Sequence, residues 1–365
     1  MTKRLCLLGI ILMAVNAAGA ADKLTAFEPT QEWPDNNGVH INAHGGGVLF
    51  HDGVYYWFGE HKIGGRRGNT AQVGVHCYSS TDLYNWKDAG VALTVSNDPN
   101  SEIVSGSIIE RPKVVYNAKT EKFVMWFHLE LRGQDYTAAR TAVAVSDTVT
   151  GPYTYLRSFR PNAGKHPINV TERDLRPSRE NYFQRDIERG QMARDMTVFV
   201  DDDGKAYHIA AAEENVTLHV SLLTDDYLDF TGTFSRVLVR RSREAPAVLK
   251  RNGKYYLLSS GCTGWAPNAA EYAVADNIFG PYETKGSPCV GYNPDTEMGA
   301  ELTFGGQSTF LLPVEGKKDA FIGMFDAWRP NNPIDGRYIW LPVEFKDDGK
   351  MVIQYRQRWD LSVFD

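Results

Sequence analysis

Apolar and polar positions along this chain fall into short alternating runs, broken by compact polar turn signals. In REAPAVLKRNGKYYLL, Arg243–Leu258, the dipeptide Asn252-Gly253 separates two such runs. That dipeptide suits a type I′ turn, in which both central residues take positive φ, so Ala247–Lys250 and Lys254–Ser259 are expected to pair as strands. The form recurs. LFHDGVYYWFGE (Leu49–Glu60) turns at Asp52-Gly53, and VFVDDDGKAYHIAA (Val198–Ala211) turns at Asp203-Gly204. VVYNAKTEKFVMWF (Val114–Phe127) has a longer turn, and FLLPVEGKKDAFIGMF (Phe310–Phe325) is a fifth case. Several are followed by a second pattern, as in CYSSTDLYNWKDAG, AVSDTVTGPYTYL, SLLTDDYLDFTG and AVADNIFGPYETK. These predict a third strand, a turn and an outer fourth strand.

A unit of four strands thus recurs five times, at spacings of roughly 50–80 residues, as blades of a β-propeller do. No long stretch has helical periodicity. The expected fold is all-β, a single five-bladed β-propeller from about Glu28 to Asp365. Its C-terminal IQYRQRWDLSVF is expected to close the ring against an N-terminal segment, because closure removes exposed sheet edges. Trp57 and Trp126 lie on alternating strands and are expected in the core. One irregular insertion, His166–Met192, is charged and Arg-rich. A solvated excursion and a border of the functional site both fit it.

The first residues change the picture of where the chain works. Lys3 and Arg4 precede an apolar run, Leu5–Val15, too short to span a bilayer, and Ala18-Gly19-Ala20 follows. This is the pattern of a cleaved signal peptide over residues 1–20, so a secreted or periplasmic protein without a membrane anchor is expected. The net charge of −6 is dispersed with no basic block, which argues against nucleic acid as a partner. Beyond the leader the cysteines are Cys77, Cys262 and Cys289. An odd count argues against a disulfide framework. A Cys262–Cys289 bond and three buried thiols both remain open. Aromatic residues make up 12% of the chain, a richness that suits strands and sugar-stacking surfaces. A monomer is expected.

In a propeller, residues just ahead of each innermost strand converge on the axis. There this chain places Asn42 and His44 in NAHGGGVLF, Glu110 in IIERPKVVY, Asp195 in ARDMTVFV, Glu244 in REAPAVLK and Gln307 in GGQSTFLL. Any one carboxylate at a strand head is ordinarily a solvated end. Their recurrence in successive units is not. Three carboxylates around an axial pocket suit glycoside hydrolysis. One must stay protonated to donate to the leaving oxygen, and neighbouring negative charge raises its pKa. In an inverting enzyme a second group activates water from the opposite face.

The sequence resembles glycoside hydrolase family 43, and most closely its exo-β-1,3-galactanase branch. The likeness is carried by NAHGGGVLFHDGVYYWFGEHK, SSTDLYNW, ERPKVVYNAKTEKFVMWFH, RDMTVFVDDDGKAYHI, EAPAVLKRNGKYYLLSSGCTGWAPN, GGQSTF and WRPNNPIDGRYIWLPVEF, over nearly the whole mature chain. The resemblance implies that Glu244 is the general acid, with Pro246 fixing its approach, and that Asp195 orients it and tunes its pKa. The family's usual base, an Asp at the head of blade one, is replaced here by Ala43-His44-Gly45. Glu110, Gln307 and Glu60 are therefore the base candidates, with Gln307 suited to positioning water and Glu110 available unless Arg111 or Lys113 engages it. Substrate ligands are expected among Glu60, His44, Trp265, Asp326, Trp328 and Arg329.

The function expected is an exported, exo-acting, inverting glycosidase that removes terminal galactosyl residues from a β-1,3-galactan-type polysaccharide. An α-L-arabinofuranosidase or β-galactofuranosidase of the same family is the alternative, and a non-catalytic sugar-binding propeller is the alternative of another class. An oligo- or polysaccharide is the expected partner. No cofactor or metal is required, and a structural Ca2+ is not predicted.

Overall fold

The computed structural model describes residues 23–365, so the expected leader lies outside the described residues. Five antiparallel sheets follow one another along the chain. Blade one runs His44–His51, Val54–Glu60, Gly74–Ser80 and Lys87–Thr94; blade two runs Ile108–Asn117, Lys122–Glu130, Arg140–Ser146 and Thr154–Phe159. Blade three comprises Met196–Val200, Ala206–Ala212, Thr217–Leu223 and Phe230–Val237. Blade four comprises Arg243–Arg251, Lys254–Gly261, Glu271–Ala275 and Glu283–Gly286. The fifth sheet begins with Gln307–Pro313, Phe321–Ala327, Arg337–Phe345 and Met351–Gln354. The all-β five-bladed propeller expected from the repeats is the fold observed. Asn252 and Gly253 take φ of 50° and 73°, as the turn chemistry requires.

Each junction between neighbouring blades carries its own apolar cluster. Phe58, Val75, Ile109 and Phe127 join blades one and two. Trp126, Val143 and Met196 join two and three. Ile209, Val220, Val248 and Leu257 join three and four, and Leu258, Tyr272, Leu311 and Ile339 join four and five. The alternation seen in the sequence follows from this arrangement, since each sheet presents apolar side chains to the blade beside it. Trp57 and Trp126 are both fully buried in these clusters, as expected.

Closure falls where it was expected, with the C-terminal IQYRQRWDLSVF pairing with an N-terminal segment, through one short bridge. Met351–Gln354 is the fourth strand of blade five, and beyond it lies Cys289–Val290 in parallel, from the segment leaving blade four. The chain ends meet in a single antiparallel bridge: Phe27 N donates to Trp359 O at 2.7 Å and Trp359 N to Phe27 O at 3.1 Å. Aromatic packing rather than strand pairing holds this seam. Phe27 stacks on Trp359 at 4.3 Å, and Trp340 lies 5.0 Å from Trp33 and 4.7 Å from Trp57. Bulky rings at the blade one–blade five junction cover the edges that a long strand pair would otherwise have satisfied.

Among the described residues no helix is long and apolar enough to cross a membrane. The insertion His166–Met192 contains one short helix, Tyr182–Asp186, pinned by Phe183 and Ile187 against Phe234 of blade three. Replacing Trp340 by Ala is expected to destabilise the protein by about 3–5 kcal/mol, the scale for removing a large buried aromatic. A urea titration that leaves the midpoint unmoved would show that the seam does not limit stability.

Candidate active site

The inner strands share a local device at their heads. The residue after the head takes positive φ in three blades: Gly45 at 61°, Arg111 at 57° and Ala245 at 51°. Strand register slips at the same places, between His44 and Gly47, Glu110 and Lys113, and Glu244 and Ala247. Blade five slips between Ser308 and Phe310. A bulge of this kind inserts an extra residue and re-aims its neighbours. Left-handed backbone costs a non-glycine residue roughly 1–3 kcal/mol, and such strain persists only where the surroundings enforce it. Pro246 therefore accompanies a bulge in presenting Glu244. At Gly45 the bulge needs glycine for a second reason, because an added Cβ would fall 2.1 Å from Glu60 Oε1.

Register also pairs each head with the end of the second strand: His44 with Glu60, Glu110 with His128, Glu244 with Ser260 and Gln307 with Asp326. Glu60, Glu110, Asp195, Glu244 and Gln307 all line one axial cavity of about 320 Å³. Arg111 lines that cavity, whereas Lys113 two residues on lines a separate cavity at the other end of the axis. The channel is thus blocked between them and the upper cavity is blind.

Arg111 is the buried centre of the floor. Its backbone N–H donates to Glu60 Oε1 at 2.9 Å, and its Nη2 donates to Asp195 Oδ2 at 2.9 Å and to Gln307 Oε1 at 2.6 Å. Its Nη1 reaches Ser308 O at 3.2 Å. Arg111 thus engages Asp195 and Gln307 rather than Glu110, and Lys113 Nζ donates to Gly45 O at 3.0 Å. Neither cation neutralises Glu110. The Arg111 side chain turns to blades three and five and that of Lys113 to Gly45 of blade one, whereas Glu110 faces His128 and Tyr136.

Glu244 is set up as an acid. Burial, then the charge of Asp195, pushes its carboxyl up to about 7 against the opposing pull of Arg111. Oε1 accepts from Gln307 Nε2 at 2.9 Å and Oε2 from Asn215 Nδ2 at 3.3 Å. Gln307 is fully committed: its Oε1 also accepts from Trp328 Nε1 at 2.8 Å.

Glu110 is set up in the opposite sense. Burial works against its charge, but the hydrogen bond and charge of His128 hold it well below the usual carboxylate range. His128 Nδ1 faces Glu110 Oε2 at 3.1 Å and its Nε2 faces Glu130 Oε1 at 2.9 Å. Burial alone would lower His128; the two carboxylates instead raise it to about 9. Tyr136 donates to Glu110 Oε1 at 2.6 Å. Glu110, His128 and Asp195 each bring one atom within 4.8 Å of the others. Within this trio both nitrogens of His128 face carboxylates.

Of the expected substrate ligands, Glu60, Trp265 and Trp328 line the cavity. The two indoles meet edge to face at 5.4 Å, with Lys62 Nζ 5.5 Å from the Trp328 ring. Glu60 pairs with Lys62 and the Arg111 backbone, so it is a buried wall rather than a free carboxylate. Three expected ligands do not reach the cavity. His44 is fully buried and stacks on Tyr338 at 5.3 Å, because the bulge at Gly45 turns it outward. Asp326 lies beneath Gln307, held by Thr309. Arg329 pairs with Asp335 at the surface. Cys262 lies exposed on the cavity rim and Cys289 is in the core, so both are free thiols. No residue of His166–Met192 lines the cavity.

Sequence reasoning missed Lys62, His128, Tyr136 and Asn215. His128 had a signal: it lies opposite the head near the end of the second strand of its blade, as Glu60 does in blade one. Tyr136 and Asn215 come from connections outside the repeat pattern and carry none. Replacing His128 by Gln would leave Glu110 and Glu130 buried without a countercharge, at a cost of about 3–5 kcal/mol. Because the folded state raises this imidazole from 6.5 to about 9, its contribution is complete below pH 6.5 and disappears as pH rises through about 9. The stability gap between the two proteins in urea is therefore expected to narrow above pH 9, and a pH-independent gap would contradict the charge assignment.

Residues 178–351 match the family described as glycosyl hydrolases family 43. A family 43 β-1,3-galactosidase solved with galactodeoxynojirimycin is 48% identical, with a TM-score of 0.87 over 92% of this chain and 100% of that one. The exo-β-1,3-galactanase from Clostridium thermocellum is 37% identical, with a TM-score of 0.77 over 91% of this chain and 66% of that one. A β-D-galactofuranosidase of Aspergillus niger is 25% identical over 57% of this chain, which spans 54% of the length of that curated relative. With 48% identity along the full length of a family 43 structure, the chain belongs to glycoside hydrolase family 43, a family of glycosidases.

Proposed function

We propose that this protein is an exo-acting, inverting galactosidase that removes terminal β-1,3-linked galactosyl residues from a galactan. The observation that carries the reading is the pairing, in one blind cavity, of an acid poised near neutrality with a carboxylate held ionised. A blind cavity of about 320 Å³ admits a chain end and excludes a chain middle. The galactosyl specificity rests on the β-1,3-galactosidase and exo-β-1,3-galactanase likenesses. Export is part of the reading, carried by Lys3-Arg4, Leu5–Val15 and Ala18-Gly19-Ala20.

In this mechanism protonated Glu244 donates its proton to the glycosidic oxygen as the bond to the anomeric carbon breaks. A water attacks that carbon from the opposite face, and its proton passes to the base. Glu110 is assigned as that base. An ionised carboxylate has a lone pair to give, whereas the amide oxygen of Gln307 already accepts from Arg111 and Trp328. Gln307 orients Glu244 instead. Its depressed pKa makes Glu110 a weak base, suited to a transition state in which departure of the leaving group runs ahead of water attack.

Glu244→Gln is expected to lower turnover by about 10² or more on substrates with poor leaving groups, and by less on activated aryl galactosides. Equal, small losses on both would remove Glu244 from the role. Turnover is expected to fall as pH rises through about 7, where Glu244 loses its proton. Asp195→Asn removes a like charge and frees Arg111, so this alkaline limb is expected to move to lower pH; an unmoved limb would count against the coupling. Glu110→Ala is expected to abolish turnover, with azide restoring part of it as inverted product. Loss of turnover confined to Gln307→Ala, with Glu110→Ala raising only KM, would transfer the water to Gln307.

A further inference from the structure

Beside the blind cavity runs a second, open groove of about 580 Å³. Arg160, Arg185, Arg189 and Arg194 line it with Asp186 and Glu214. Four guanidinium groups against two carboxylates leave an excess positive charge on a chain that is acidic overall. The carboxylates are placed to hold arginines rather than to neutralise the groove. Asp186 is sunk, with 6% of its side chain exposed, and takes two bonds from Arg185, whose side chain is 44% exposed. Glu214 bridges Arg185 at 3.0 Å and Arg194 at 3.3 Å. Arg189 is exposed and makes no hydrogen bond or ion pair among the described residues.

Groove and cavity are continuous. Arg194 lines both, and Tyr136 and Asn215 of the cavity wall are chain neighbours of Thr137 and Glu214 of the groove. The shared rim is also strained: Glu213, Glu214 and Asn215 have successive φ values of 54°, 57° and 63°. Three adjacent non-glycine residues in left-handed backbone persist only where structure enforces them, and such outliers concentrate at ligand sites. The insertion His166–Met192 supplies Arg185, Asp186 and Arg189. It thus forms one wall of the groove that adjoins the blind cavity at Arg194.

We propose that this groove is a subsite for an anionic substituent, a uronosyl carboxylate or a sulfate ester, on the sugar chain beyond the scissile bond. Guanidinium groups bind oxyanions through charge and directed hydrogen bonds, and Arg189, exposed and without a partner among the described residues, has its whole fork to offer while Arg185 and Arg194 add fixed positive charge beside it. The assignment rests on the galactosidase reading for the identity of the chain, but the charge recognition itself does not.

The test uses β-1,3-galacto-oligosaccharides carrying a neutral galactosyl, a glucuronosyl or a sulfate substituent on the unit next to the terminal galactose. The expected result is a higher kcat/KM for an anionic member than for the neutral one, with an advantage that shrinks as salt rises. Which anion gains more identifies the source. Arg189→Gln is expected to cut the charged-to-neutral ratio by about two- to fivefold, the scale of one exposed ion pair. A ratio at or below one for both anions, or one that Arg189→Gln leaves unchanged, overturns the proposal. Calorimetric titration of glucuronosyl-galactose reads the groove without turnover. Binding that weakens in Arg189→Gln supports the subsite even for a protein that cleaves no galactoside, and no binding of either the glucuronosyl or the sulfated fragment to the unaltered protein overturns it.

Discussion

A single buried guanidinium ties the centre of this molecule together. Arg111 belongs to blade two, yet it bonds Glu60 of blade one, Asp195 at the head of blade three, and Gln307 and Ser308 of blade five. Through Gln307 it reaches Glu244 of blade four. Blade heads brought together by apolar packing at five separate junctions would otherwise be free to adjust independently. The guanidinium fork fixes those of blades three and five, and the backbone N–H of the same residue fixes Glu60 of blade one, because these donors have set directions. It also compensates the carboxylates around the axis, which would be prohibitive to bury together uncompensated.

The same arrangement explains how one cavity keeps two carboxyls in opposite states. Glu110 has a private cation in His128, itself anchored by Glu130. Glu244 has amide donors and the like charge of Asp195, whose own countercharge, Arg111, is shared among several acceptors. Charge separation here is a matter of which partner is exclusive and which is divided. Both carboxyls occupy the same place in their blades, so the difference arises from the residue opposite each head: His128 for one and Ser260 for the other.

Much of the fold was legible because a propeller repeats its signals. Asn252-Gly253, Asp52-Gly53 and Asp203-Gly204 marked turns by local backbone chemistry, and five copies agreed. The strand heads Glu110, Asp195, Glu244 and Gln307 were legible for the same reason. What failed to show was anything that depends on bulges. His44 occupies the head position of blade one, but the left-handed Gly45 turns it into the core and leaves Glu60 in the cavity instead. Asp326 was visible as a polar residue beside Trp328, yet it is buried outside the cavity against Thr309. Loop contributions such as Tyr136 and Asn215 depend on chain paths that no periodic pattern encodes. Closure by the C-terminal segment against an N-terminal one was legible from the need to cover sheet edges; that one bridge and the packing of Phe27, Trp33 and Trp359 would carry it was not.

That seam bears on how the protein responds to mechanical and topological change. The segments around Phe27 and Trp359 are held side by side by one pair of backbone hydrogen bonds and by the stacking of the Phe27 ring on the Trp359 indole. Tension applied between the ends would load those few contacts directly, and the ring would open there before any blade lost its own ladder. For the same reason a short peptide joining residues 27 and 359 would span little distance. The chain could then be cut at an exposed turn such as Asn252-Gly253, with the order of the blades around the axis preserved and only the position of the break moved.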